Sequence, residues 1–186
     1  MRDLVAERSD SKNIEVWFQD EARVGQQGTL VYVWAERGSC PVATRDCRRN
    51  WAYIFGAVCP ERAVGEALVM PFVNIEAMNR HLQQISRRVA FGAHAALIVD
   101  GAGWHRPGGE LIIPDNITLI RLPPYCPELN PIENVWEYLR GNLLSMTVWE
   151  TYNAIVDACC NAWNFFISDR DRVVSITTRS WAKVNV

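Results

Sequence analysis

The sequence predicts an α/β fold built on one mixed sheet, and three observations carry that expectation. The first half holds runs of β-branched and aromatic residues at Ile14–Asp20, Leu30–Ala35, Trp51–Val58 and Ala67–Val73, separated by glycines and prolines. From Asn74 onward the apolar residues recur every three or four positions, which is a helical period. Beyond that helix, Ala95–Val99 is a short continuous apolar run, the pattern of a strand buried on both faces.

Taken in order, Ile14–Asp20 opens the sheet, and a turn over Gly25–Gly28 leads to Leu30–Ala35. Trp51–Val58 and Ala67–Val73 follow, and the early strands read as an antiparallel set. Ile75, Met78, Leu82, Ile85 and Val89 then share one face of a helix, with Asn74 placed to accept a hydrogen bond as its N-cap. Ala95–Val99 and Ile117–Leu122 are apolar strands on either side of a Gly/Pro-rich connection. Two helical stripes close the chain, one through Ile132, Val135, Trp136, Leu139 and Leu143, the other through Tyr152, Ile155, Cys159, Ala162, Trp163 and Phe166. Three antiparallel strands, then β-α-β with flanking helices, is the order of a ribonuclease-H-like mixed sheet. The expected organisation is a polar N-terminal segment over 1–13, one domain over 14–168 and a polar C-terminal tail over 169–186.

With 186 residues, 49% of them apolar and 22% charged, the chain has the composition of one soluble globular domain. No apolar run reaches the roughly 18 to 20 residues of a membrane span, and the N-terminus lacks the apolar stretch of a signal peptide. A cytoplasmic protein is expected. Six cysteines show no C-x-x-C pairing, and adjacent Cys159 and Cys160 fall in a helical pattern, so core thiols are expected rather than a disulfide framework or zinc site. The net charge of −2 argues mildly against nucleic acid. Of 19 basic residues, however, only Lys12 and Lys183 are lysines, and arginine is the side chain suited to bidentate phosphate contact. Arg48, Arg49, Arg87 and Arg88 are the candidates for contact with a DNA backbone. Gly101 and Gly103 follow a strand, but the rest of a dinucleotide-binding fingerprint is missing.

Three carboxylates stand out. Asp20 and Asp100 follow apolar strands that this fold makes parallel neighbours, and open α/β sheets place ligands at the carboxyl edge of such strands. Glu133 lies 33 positions after Asp100, enough for a connection, a strand and the start of a helix. Each residue has a plainer reading. Asp100 precedes Gly101, a common turn pair. Asp20 stands beside Glu21, and the local pattern prefers neither. Asn130, Pro131 and Glu133 match a capping box with proline at the first helical position.

The blocks Phe18-Gln19-Asp20-Glu21-Ala22-Arg23, Val99-Asp100-Gly101-Ala102-Gly103-Trp104-His105 and Pro123-Pro124-Tyr125-Cys126-Pro127-Glu128-Leu129-Asn130-Pro131-Ile132-Glu133-Asn134-Val135-Trp136 resemble those of IS630/Tc1/mariner-type DDE transposases. The resemblance runs from about Val16 to Trp163, and Trp34-Ala35-Glu36-Arg37-Gly38 belongs to it. One departure is Cys126, where the family more often has Ser.

That resemblance implies a DDE catalytic domain in which Asp20, Asp100 and Glu133 are both catalytic residues and metal ligands. It implies two Mg2+ (or Mn2+) ions about 3.5 to 4 Å apart, clamping the attacking and leaving oxygens of an in-line displacement. Asp20 would be the shared ligand, while Asp100 and Glu133 each serve one ion. His105, Glu21 and Asn134 are candidates to line the site. The implied activity is DNA end cleavage and strand transfer in cut-and-paste transposition, with duplex DNA as partner through transposon ends and a TA target. A nucleoid-associated location follows, as does an upstream helix-turn-helix segment supplying sequence readout, with a homodimer as a candidate assembly. Two other readings keep the fold: a nuclease acting on RNA/DNA hybrids, or a non-catalytic remnant that binds DNA or protein.

Overall fold

A computed structural model describes residues 13–26, 34–40, 48–101, 110–123, 126–145 and 147–179. Strands β1 (Asn13–Gly25), β2 (Trp51–Cys59) and β3 (Val64–Met70) pair antiparallel in sequence order. Helix α1 (Ile75–Arg88) then crosses over, and β4 (Ala93–Val99) and β5 (Ile117–Arg121) extend the sheet in parallel. The order is β3-β2-β1-β4-β5, so β1 lies between an antiparallel and a parallel neighbour. Helices α2 (Ile132–Leu139), α3 (Tyr152–Ile167) and α4 (Arg170–Thr177) complete the described chain. This is the mixed, ribonuclease-H-like sheet that the pattern predicts.

Because successive strand residues point to opposite faces, each strand feeds two cores. Phe18, Ala22 and Val24 of β1, Ile54 and Val58 of β2 and Ile98 of β4 face the layer of α2 and α3. Trp17, Phe55, Leu97 and Val99 face α1, which meets them with Ala77, Met78, Leu82 and Ile85. Every residue of β4 is buried, the physical origin of its unbroken apolar run. Each fully buried Leu, Ile or Met here contributes roughly 1.5–3 kcal/mol of hydrophobic stabilisation. Asn74 caps α1 as expected, its side chain accepting from the Ala77 N–H at 2.8 Å.

Four details differ from the sequence expectations. Strand β1 continues to Gly25, past the carboxylate that was expected to end it. The antiparallel ladder with β2 runs on from Glu21↔Phe55 to Gly25↔Trp51, and those hydrogen bonds hold charged residues in extended form. The strand expected over Leu30–Ala35 lies outside the described residues up to Val33, and Trp34 and Ala35 are exposed and not extended into a ladder. In the second-last helical stripe Leu144 is buried while Leu143 is only partly so. The chain widens into a π-helical turn over Arg140–Leu144, whose i→i+5 hydrogen bonding moves the apolar position on by one. Finally, part of the segment expected as a tail forms α4, capped by the Asp169 side chain and anchored by buried Val173 and Thr177.

Candidate active site

The site begins with strand register. Parallel pairing of β1 with β4 ends at Phe18↔Ile98, and the same offset continued by two residues brings Asp20 beside Asp100. Asp20 shares the face of Phe18, toward α2. Glu21 lies on the other face with Gln19, whose Nε2 donates to Glu21 Oε1 at 2.9 Å. The adjacent acids that sequence could not separate are therefore sorted by the pleat.

Glu133 stands in the first turn of α2, and two side chains flanking it tie that helix to β1. Asn130, three residues before Glu133, donates from Nδ2 to the Gln19 carbonyl at 3.0 Å. Trp136, three residues after it, donates from Nε1 to Asp20 Oδ2 at 2.9 Å. Residues three apart on a helix share a face, so Trp136 and Glu133 both present toward the strand end. The capping box is not formed. No side chain caps α2, and Asn130 Oδ1 is buried without a hydrogen-bond partner. Asn134, a candidate to line the site, instead reaches α4, where its Nδ2 donates to the Ile176 carbonyl at 3.5 Å.

Partial burial is the largest influence on both acids. It pushes Asp20 up to about 7, opposed by the Trp136 hydrogen bond and reinforced by the charge of Glu133. Glu133 is raised as well, first by burial, with Arg140 opposing and Glu137 and Asp100 adding repulsion. Asp20 thus feels Glu133, and Glu133 feels Asp100. Among the described residues, no three His, Cys, Asp or Glu side chains are close enough together to hold a metal ion. The three carboxylates share an edge without forming a closed cage. As a donor set they fit a hard divalent cation, since all are oxygen ligands and their burial and mutual repulsion are what such a cation would offset.

The remaining candidates are scattered. His105 lies outside the described residues. Arg48 donates to the Trp149 and Glu150 carbonyls at 2.7 and 3.2 Å, bracing the segment that leads into α3. Arg49 is exposed beside it, just before β2 pairs with the far end of β1. Arg87 and Arg88 end α1, where the chain returns to the start of β4, the opposite sheet edge from Asp100. Arg88 pairs there with Glu66 at 3.3 Å. A crossover helix runs back along its strands, so its C-terminus cannot reach the edge where the carboxylates meet.

The chain matches the DDE superfamily endonuclease family over residues 15–155, a span that includes all three carboxylates. It belongs to that family. It is also 52% identical to uncharacterized protein y4pE/y4sA of Sinorhizobium fredii (strain NBRC 101917 / NGR234) over 132 residues, 71% of this chain and 97% of that protein. Among solved structures, the Mos1 transposase paired-end complex with left transposon end superposes with a TM-score of 0.65 at 14% identity, covering 88% of this chain and 51% of that one. The Mos1 mariner paired end complex with Mn gives 0.64 at 15% identity, covering 87% and 51%. At such identities the likeness is one of fold, and this DDE endonuclease chain spans about half the length of Mos1.

Two residues beside these carboxylates were misassigned from sequence. Asn130 reads as a cap and acts as a tether. Trp136 reads as one more core tryptophan, yet its ring nitrogen meets Asp20. The available signal was their placement three residues either side of the helix acid.

Proposed function

We propose that this chain is the catalytic domain of a transposase of an IS630-type, Tc1/mariner-related element, cutting DNA at transposon ends and joining it to a TA target. The observation that supports the reading is the parallel β1–β4 register, whose offset continued by two residues would bring Asp20 level with Asp100, together with the pinning of α2 to β1 on both sides of Glu133. The similar Mos1 structures are complexes with a transposon end and with Mn or Mg, which supports duplex DNA and a divalent cation as partners here.

Asp20, Asp100 and Glu133 are the residues that would hold Mg2+ or Mn2+. Two such ions supply activation of the attacking oxygen and stabilisation of the leaving one. The chain's own part is to hold the acids in place. Partly buried Asp20 resists ionisation by itself, so its deprotonation and cation binding favour each other. Exposed Arg140, whose charge acts on Glu133, and exposed Arg49 are the cations offered to a DNA backbone. A helix-turn-helix segment, a second copy of the chain and a cytoplasmic, nucleoid-associated location complete the proposal.

The test is strand cleavage of duplex DNA carrying the element's inverted repeats, with Mg2+ or Mn2+ supplied. Cleavage by the native chain that is lost in Asp100→Asn and in chelator supports the reading. Cleavage confined to RNA/DNA hybrids would replace it with a hybrid nuclease, and no cleavage of either substrate, with the helix-turn-helix segment also supplied, would leave a non-catalytic remnant.

A further inference from the structure

A buried indole N–H needs an acceptor, and Trp136 has taken a carboxylate oxygen of the proposed site, Asp20 Oδ2. The ring cannot easily turn away. It is 2% exposed, tilted against Trp163 with centroids 6.1 Å apart, and seated over Gly56, where an added Cβ would come within 2.5 Å of the ring. Gly56 is the cross-strand neighbour of Asp20 on β2. The direction of the N–H is thus set by packing and not by Asp20 itself.

Resting on the metal-dependent reading above, we infer that Trp136 is a positioning residue, which holds Oδ2 of Asp20 and, with the Glu21 backbone N–H that also bonds this carboxylate, turns it toward the edge shared with Asp100 and Glu133. Partners that orient a ligating carboxylate through a hydrogen bond tune metal affinity without touching the metal. Here the orienting group also rides on the helix that carries Glu133. One rigid turn of α2 therefore delivers one acid and aligns another. Asn130 strengthens the arrangement by fixing the start of that turn to the backbone one residue before Asp20.

Mn2+ binding to the metal-free protein, read from the free-ion signal in electron paramagnetic resonance, tests this without relying on turnover. Two variants remove the donor: Trp136→Phe, and replacement of Trp136 by benzothienylalanine, which keeps the bicyclic shape and substitutes sulfur for the N–H. Measured well below the melting temperature of each, both should bind Mn2+ about 10-fold more weakly than the native chain. Should the phenylalanine variant not fold, the benzothienyl variant decides alone. Native-like affinity in the benzothienyl variant, while Asp100→Ala abolishes binding, overturns the role of Trp136 and leaves the metal reading standing. A native chain that binds no Mn2+, or binds it equally after Asp100→Ala, brings down both.

Discussion

Gly56 stands opposite Asp20 across the β1–β2 ladder, and its missing side chain admits the Trp136 ring. A Cβ there would lie 2.5 Å from Trp136 Cη2 and 3.0 Å from Trp163 Cζ3, so two large rings would have to shift. Overpacking of this kind costs typically 1–3 kcal/mol. We predict that Gly56→Val is destabilised by roughly 2–3 kcal/mol in urea denaturation. Stability equal to that of the native chain would show that the rings move without cost.

The raised pKa of Asp20 has a definite sign in stability. Its folded value of about 7 lies above the ordinary 3.8, so between those values the folded chain binds a proton that the unfolded chain has lost. The metal-free protein should lose stability as pH rises through that window and hold the penalty above it. Asp20→Asn cannot ionise and still offers an oxygen to Trp136. We predict that the variant is more stable than the metal-free native chain at pH 8, by on the order of 3 kcal/mol, and that the two converge near pH 4. A stability difference independent of pH would contradict this.

A divalent cation should remove that penalty. Ligand at 100 times its dissociation constant stabilises a folded protein by about 2.7 kcal/mol. We therefore predict that millimolar Mn2+ raises the melting temperature of the native chain and has little effect on Asp100→Ala. Glu133→Gln should fold normally, bind the cation weakly and fail to cleave DNA, since the amide brings no negative charge. Equal thermal shifts in all three proteins would count against the shared site.

Periodicity made the sheet legible. The continuous apolar run of β4 and the single-faced stripe of α1 could only be packed in a few ways, and the parallel pairing of β1 with β4 is one of them. What escaped was set by contacts between distant segments. Asp20 continues in a strand because β2 supplies its ladder partner, and nothing local to Asp20 announces that. Leu144 replaces Leu143 in the core because the helix widens at Arg140, a change of period invisible to a window that assumes 3.6 residues per turn. Asn134 is a site-lining candidate by resemblance, but the helix turns it toward α4.

Asn130 shows the same ambiguity in a form that one substitution resolves. As a helix cap it would act through its side-chain oxygen, and Asp serves that role as well as Asn. As a tether it acts through Nδ2, which donates to the Gln19 carbonyl, and Asp offers no donor there when ionised. Asn130→Asp would instead place a buried carboxylate against a carbonyl oxygen, an uncompensated contact costing roughly 2–3 kcal/mol or more. Asn130→Ala loses the bond without adding the repulsion and should cost about 1–2 kcal/mol. We predict that at pH 7.5 the aspartate variant is the less stable of the two in urea denaturation. It should also lose Mn2+ affinity, because the turn that carries Glu133 is no longer fixed to β1. A native-like aspartate variant would return Asn130 to the capping role that its sequence context suggests.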